Sequence, residues 1–212
     1  MSDYITIKSN ENYELVEKKS KFIANTYYIE SKEKAEEIIK ENKKKFYDAR
    51  HNCFAYRVLS DQGIIEKSSD DGEPSGTAGA PMLNILSKNN IVNVLVIVTR
   101  YFGGILLGTG GLVKAYSEST QNALEKSKYA KIIRGIELNL EIDYSEFEKI
   151  KYYFRKKDID IKNVQYLQNI NCNIVIKKEL LKEFLADIET KSLKIIEHNV
   201  LQEVNILESK EK

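Results

Sequence analysis

Apolar and polar positions change their period repeatedly along this chain, and each change marks an element. Residues 4–8 alternate as a half-buried strand does, and the alternation resumes over 13–16 after the turn signal Asn10-Glu11-Asn12. Residues 22–29, rich in aromatic and β-branched side chains, predict a further strand. Ser31 stands where a helix N-cap belongs, and Ala35, Ile38 and Ile39 form the apolar stripe of a helix that frays into the lysines 43–45. Residues 52–59 and 64–67 read as strands paired around Asp61-Gln62-Gly63. A helix over 80–87 stops at Asn89-Asn90. The continuous run 94–98 reads as a buried strand, followed by a glycine-rich loop and a helix from about Leu112 to Lys126.

Near residues 130–135 the pattern changes. Beyond it the periods predict strand 136–142, helix 144–157, strands 159–168 and 170–177, helix 178–190 and strand 193–207. That is the βαββαβ order of a ferredoxin-like unit. With 212 residues the chain can bury two cores, so the expectation is two α+β domains, 1–131 and 132–207, with residues 209–212 as a frayed tail.

Charge narrows the function classes. The 33 basic and 32 acidic residues leave a net charge of +1, balanced in both halves, which excludes a uniformly basic nucleic-acid-binding body but not a local patch. Two cysteines without a CxxC pair exclude a disulfide framework and a cysteine-rich zinc site, and two free thiols fit a reducing compartment. The polar start of the chain and the lack of any apolar run near ~18 residues give the expectation of a cytoplasmic protein with no membrane span.

Four constellations can carry chemistry. The stretch VLVIVTRYFGGILLGTGGLVKAY holds five of the ten glycines. Gly103, Gly104, Gly110 and Gly111 permit close backbone approach, and Gly110 and Gly111 just before a helix would offer free amides to an anion. Arg100 supplies a bidentate donor, Thr109 a cap or hydroxyl ligand, and Lys114 a positive charge in the first turn. The spacing is neither a Walker loop nor GxGxxG, and a tight strand–helix crossover explains the glycines equally well. Second, Asp70, Asp71 and Glu73, with Ser75 and Thr77, can hold a divalent cation or form an acidic turn in which Ser75 or Thr77 caps the next helix. Third, His51 and Cys53 share a strand face, either as a thiol–imidazole pair or as a bonded histidine beside a buried structural cysteine. Fourth, Lys149, Lys151, Tyr152, Arg155, Lys156 and Lys157 make a helix face suited to RNA or simply to solvent.

Taken in order, HNCFAYR, DDGEPSGTAGAPML and VTRYFGGILLGTGGLVKAYS resemble the YigZ/IMPACT family in its bacterial form. The resemblance implies an N-terminal domain with the α+β fold shared by a small-subunit ribosomal protein and the GHMP kinases. It also implies a ferredoxin-like C-terminal module resembling one in elongation factor G. Its motif positions here are His51, Cys53, Asp70, Asp71, Gly72, Glu73, Pro74, Gly76, Thr77, Arg100, Tyr101, Gly103, Gly104, Gly108, Gly110 and Gly111, which form one polar surface if the acidic loop folds over the glycine loop. Eukaryotic relatives regulate translation by protein–protein binding, and no catalytic activity is implied. The expected function is therefore regulation linked to translation, through the ribosome, RNA or a translation-related protein, with no DNA specificity. The alternatives are a phosphate- or nucleotide-binding enzyme and a pure protein–protein interface.

Overall fold

The computed structural model describes residues 4–60 and 62–209; Asp61 of the expected turn and residues 210–212 of the expected tail lie outside the described residues. The chain divides into two compact units, one ending at Lys131 and one running from Ile132 to Glu208.

The first unit contains β1 (Ile5–Ile7), β2 (Asn12–Glu17), β3 (Ser20–Tyr28), α1 (Lys32–Lys45), β4 (His51–Ser60), β5 (Gly63–Ser69), α2 (Gly79–Lys88), β6 (Val94–Tyr101) and α3 (Gly108–Lys126). Its main sheet runs β2-β3-β6-β4-β5, antiparallel at every pairing. The β2–β3 hairpin turns on Lys18 and Lys19, both at positive φ, a turn whose twist matches that of the strands. Ser31 caps α1 through a bond from the Lys34 amide.

β4 and β6 are covered on both faces, which is why Val94–Val98 of β6 run on without polar interruption and why β4 is buried from His51 to Val58. Cys53, Ala55, Val94, Val96 and Val98 pack with Met82 of α2 and with Leu112 and Tyr116 of α3. The alternate residues Phe54, Tyr56, Val58, Leu95 and Ile97 pack with Ala35 and Ile39 of α1. Burial of this kind, at about 25 cal/mol per Å2 of apolar surface, makes the β4–β6 pair the rigid centre of the unit. Any side chain at its exposed end is held on a fixed platform.

α3 departs from the sequence expectation. It starts at Gly108, not near Leu112, so Gly110 and Gly111 lie inside its first turn. Glycine lowers helix propensity, but Leu112, Ala115 and Tyr116 anchor the helix in the core and carry the preceding turn with them. Gly108, at φ +73, turns the chain into the helix.

The second unit contains most of β7 (Tyr129–Ile142), then α4 (Tyr144–Lys156), β8 (Asp160–Tyr166), β9 (Ile170–Lys177), α5 (Leu181–Glu189) and β10 (Ile195–Ser209). The first residues of β7 pair with β1 and belong to the first unit. The second unit's strands lie in the order β10-β7-β9-β8, the arrangement of a ferredoxin-like sheet. Leu138, Leu140, Cys172 and Ile174 pack against Phe147, Ile150 and Phe154 of α4 and Phe184 of α5. Asp143 caps α4. No helix among the described residues is long and apolar enough to cross a membrane.

Candidate functional site

The site is built where β4 begins and β6 ends. His51 and Arg100 are cross-strand partners, so antiparallel pairing alone places them side by side on one face. Between β5 and α2 the chain turns through Asp71 and Gly72, at φ 43 and 88, and this double left-handed turn sends Glu73 back over the strand ends. The first turn of α3 completes the wall. The result is a cleft of about 390 Å3. His51, Glu73 and Arg100 form its polar part, Gly108 and Thr109 its helix edge, and Phe102, Leu106, Leu107 and Leu112 its apolar side.

Arg100 donates to Glu73 Oε1 at 2.6 Å, and the same oxygen accepts the Tyr116 hydroxyl at 2.8 Å. Cys53 Sγ lies 3.0 Å from the Asp70 carbonyl and 3.3 Å from the Tyr116 hydroxyl, its single proton shared between the two acceptors. Arg100 also stands 5.3 Å from the Phe22 ring and 5.6 Å from the Phe102 ring. Its Nε is buried without an acceptor. His51 Nδ1 lies 2.8 Å from the Asp71 carbonyl, so Nδ1 carries the proton and Nε2 faces Glu73 at 3.9 Å, beyond hydrogen-bond reach.

This geometry separates the alternatives that the sequence left open. The thiol–imidazole pair does not form, because His51 and Cys53 each bond elsewhere. Burial pushes the Cys53 thiol up to about 12, against the opposing Tyr116 bond, and Glu73, Asp71 and Asp70 push it the same way as burial. A thiol held protonated is a poor nucleophile. The acidic loop does not assemble a cation site either. Asp70 accepts from the amides of Gly76, Ala78 and Gly79, Asp71 accepts from Lys43 and the Asn52 amide, and Glu73 faces Arg100, so the three carboxylates diverge. Among the described residues no group of three or more metal-ligating side chains converges.

Neither Ser75 nor Thr77 caps α2: its N-cap residue is Ala78, and the Asp70 carboxylate of the preceding loop accepts from the Ala78 and Gly79 amides. Thr77 is buried and donates to the Pro74 carbonyl, while Ser75 is exposed. Burial works against ionisation of Asp70, but the Gly76, Gly79 and Ala78 amides outweigh it and hold the carboxyl below its usual range.

The glycine loop splits by role. A Cβ on Gly103 would lie 2.0 Å from the Lys19 backbone, so this glycine is closed against the β2–β3 turn. A Cβ on Gly111 would touch Leu107 at 3.0 Å. Gly104 and Gly108 adopt positive φ with open space around them, and Gly110 meets nothing within 4 Å. Thr109 does not cap α3; the N-cap is Leu107, no side chain caps that end, and the first turn holds no acidic residue. Lys114 lies in the second turn and lines a separate groove beside Leu15 and Glu17. Tyr101, on the opposite strand face from Arg100, bonds to Asp48 at 2.9 Å.

On α4 the basic residues are partly spent. Lys149 pairs with Glu146, Lys151 with Glu148 and Lys157 with Glu183. Lys156 lies over the Tyr152 ring at 4.7 Å, and among the described residues Arg155 and Lys156 have no carboxylate partner.

Sequence reasoning missed Tyr116 and the apolar wall. Their signal was helical spacing: Gly108, Leu112 and Tyr116 recur every four residues and so share one face.

Comparison with known proteins follows these motifs. The profile of the Impact N-terminal domain matches residues 18–124, and that of a domain of unknown function, DUF1949, matches 140–192. IMPACT family member YvyE of Bacillus subtilis (strain 168) is 36% identical over 87% of this chain and 84% of its own. The chain belongs to the IMPACT family. Another IMPACT family member, YigZ of Escherichia coli (strain K12), is 34% identical over 84% of this chain and 90% of its own. A crystal structure described as a hypothetical protein matches with a TM-score of 0.66 and 29% identity, covering 95% of this chain and 98% of that one. His51, Glu73, Arg100 and Gly108, which line the cleft, all fall within the residues that the Impact N-terminal domain matches.

Proposed function

We propose that this IMPACT family member is a cytoplasmic binding protein with a role in translation regulation, acting by contact with the ribosome, RNA or a translation factor and not by covalent catalysis. The observation that carries the reading is the bonding of the cleft's reactive groups to one another. Cys53, Tyr116, Glu73 and Arg100 form one buried network whose thiol is held protonated. Such a network shapes and rigidifies a recognition surface, but it presents no activated nucleophile. The family resemblance supports the link to translation, because eukaryotic relatives act there by binding. Arg155 and Lys156 are the proposed RNA contacts that remain on α4.

Co-sedimentation with ribosomes and with total RNA over a salt series tests the proposal. The expected result is retention at low salt that declines as salt rises, with a smaller salt slope for Arg155→Glu/Lys156→Glu. No retention at low salt would overturn it. A phosphate- or nucleotide-binding enzyme is the second reading, favoured by the unbonded Nε2 of His51 facing the cleft. Melting curves unmoved by nucleotides and phosphorylated metabolites, with and without magnesium, would exclude it.

A further inference from the structure

We infer that the cleft between Arg100 and the start of α3 is a binding site for a nucleoside monophosphate group, either a free nucleotide or the phosphorylated end of an RNA. This inference rests on the binding-protein reading above and names the ligand chemistry of its cleft.

Three independent features converge there. The first is the α3 N-terminus. A helix leaves its first amides without intrahelical acceptors, and its dipole favours an anion at that end. Here the helix is 19 residues long, lacks a side-chain cap and carries no acidic residue in its first turn. The second feature is a pair of buried polar side chains lining the same cleft with unmet hydrogen-bonding capacity. His51 is 8% exposed and Arg100 5%. His51 Nε2 has no hydrogen bond, and Arg100 Nε has no acceptor. Buried polar groups are rarely left so: Arg100 Nε, a donor, calls for an oxygen acceptor, and His51 Nε2, an acceptor while Nδ1 holds the proton, calls for a hydroxyl such as a ribose supplies.

The third feature is the rim. Phe102 is 40% exposed and Leu106 is 81% exposed, although both are large and apolar. Arg50 lies 5.9 Å from the Phe102 ring and, among the described residues, has no carboxylate partner. An aromatic face with a guanidinium beside it is a stacking platform for a base, and it adjoins the anion site.

Electrostatics decide the sign of the ligand. Arg50 and Arg100 are the cations of the cleft and Glu73 is its carboxylate, already matched by Arg100 at 2.6 Å. Arg50 and the helix dipole are left over, so the cleft favours an anion. Thr109 lines the helix edge and offers a hydroxyl. The proposed pose sets the phosphate on the amides of the first α3 turn, beside the Thr109 hydroxyl, with a ribose hydroxyl donating to His51 Nε2 and the base against Phe102. The volume of about 390 Å3 lies within the range of small-molecule pockets.

The test is calorimetry on the full chain with AMP, adenosine, inorganic phosphate and a short oligoribonucleotide carrying either a 5′-phosphate or a 5′-hydroxyl. AMP should bind at least about tenfold more tightly than adenosine and than phosphate, because each of those lacks one half of the recognition. Thr109→Glu places a carboxylate in the first turn, where a helix tolerates it, and should abolish AMP binding while the melting temperature holds or rises. Phe102→Ala should weaken AMP but not phosphate. A 5′-phosphorylated oligomer that binds more tightly than AMP assigns the site to RNA ends; equal binding assigns it to the nucleotide itself. Equal affinity for AMP and adenosine, no binding of AMP at millimolar concentration, or unchanged binding by Thr109→Glu would overturn the inference. Ribosome co-sedimentation is read separately. Retention without AMP binding fells only this inference, and AMP binding without retention fells only the reading above.

Discussion

Arg100 and Glu73 form an ion pair almost wholly withdrawn from water: 2.6 Å separates Nη1 from Oε1, and the side chains are 6% and 3% exposed. Pairs of this kind gain little over a well-packed apolar substitute, but breaking one strands the other charge. Tyr116 adds a neutral donor to the same carboxylate oxygen. The pair therefore fixes the position of the 70–79 loop over the sheet.

Glu73→Ala should accordingly cost about 3–5 kcal/mol in urea unfolding, because Arg100 is left buried and unpaired. The double variant Arg100→Met/Glu73→Leu should recover much of that loss, since it removes both charges and keeps apolar volume. A Glu73→Ala cost under about 1 kcal/mol would show that the loop moves to expose Arg100 to water.

Most of the architecture was legible because it rests on period. Every element over residues 4–126 and the βαββαβ order of the second unit follow from alternation, helical stripes or, for β6, a continuous apolar run. The misses have physical causes. The α3 start was misplaced because glycine propensity was weighed without the core contacts of Leu112 and Tyr116. The acidic loop left a cation site and an acidic turn both open because three carboxylates are close in sequence, whereas the left-handed pair Asp71-Gly72 sends them apart. Tyr116, although inside the quoted glycine-rich stretch, was passed over because a tyrosine in a helix pointed to no chemistry there; only its four-residue spacing from Leu112 and Gly108 hinted at the cleft.

Asp70 gives a pH prediction. Its carboxyl sits below its usual range because it accepts three amides at the start of α2. A group whose folded pKa is depressed contributes stability above its unfolded value, near 4, and loses it as pH falls through the folded value. Wild-type stability should therefore decline below about pH 4, and Asp70→Asn should flatten that part of the decline. At neutral pH the same variant should cost about 0.5–2 kcal/mol, the usual worth of a cap. Unfolding midpoints measured from pH 2.5 to 7 check both statements; identical acid limbs would count against the assignment.

The two thiols should be inert in the folded chain. Burial and nearby carboxylates raise Cys53 to about 12, and burial alone raises Cys172 to about 11. Ellman's reagent at pH 8 should find no reactive thiol in the native protein and both in denaturant. Prompt labelling of Cys53 in the native state would reopen the nucleophile reading.

Gly103 and Gly110, seven residues apart, should respond in opposite directions to the same methyl group. At Gly103 an added Cβ would lie 2.0 Å from the Lys19 carbonyl carbon and 2.1 Å from its oxygen. Both contacts are backbone, and Lys19 is already held at positive φ by the hairpin turn, so the neighbour cannot yield by a rotamer change. Gly103→Ala should lose about 3 kcal/mol or more, at the upper end for overpacking. At Gly110 the added Cβ meets nothing within 4 Å, and the residue is inside α3 with no positive φ. Glycine there lowers helix stability with no packing gain, so Gly110→Ala should raise stability by about 0.5–1 kcal/mol. Alanine keeps the amide N–H, so AMP binding should persist in Gly110→Ala. Urea unfolding of the two variants beside wild type reads the contrast directly. A destabilised Gly110→Ala would mean that the first turn of α3 is not helical in solution, and the proposed amide cradle would fall with it.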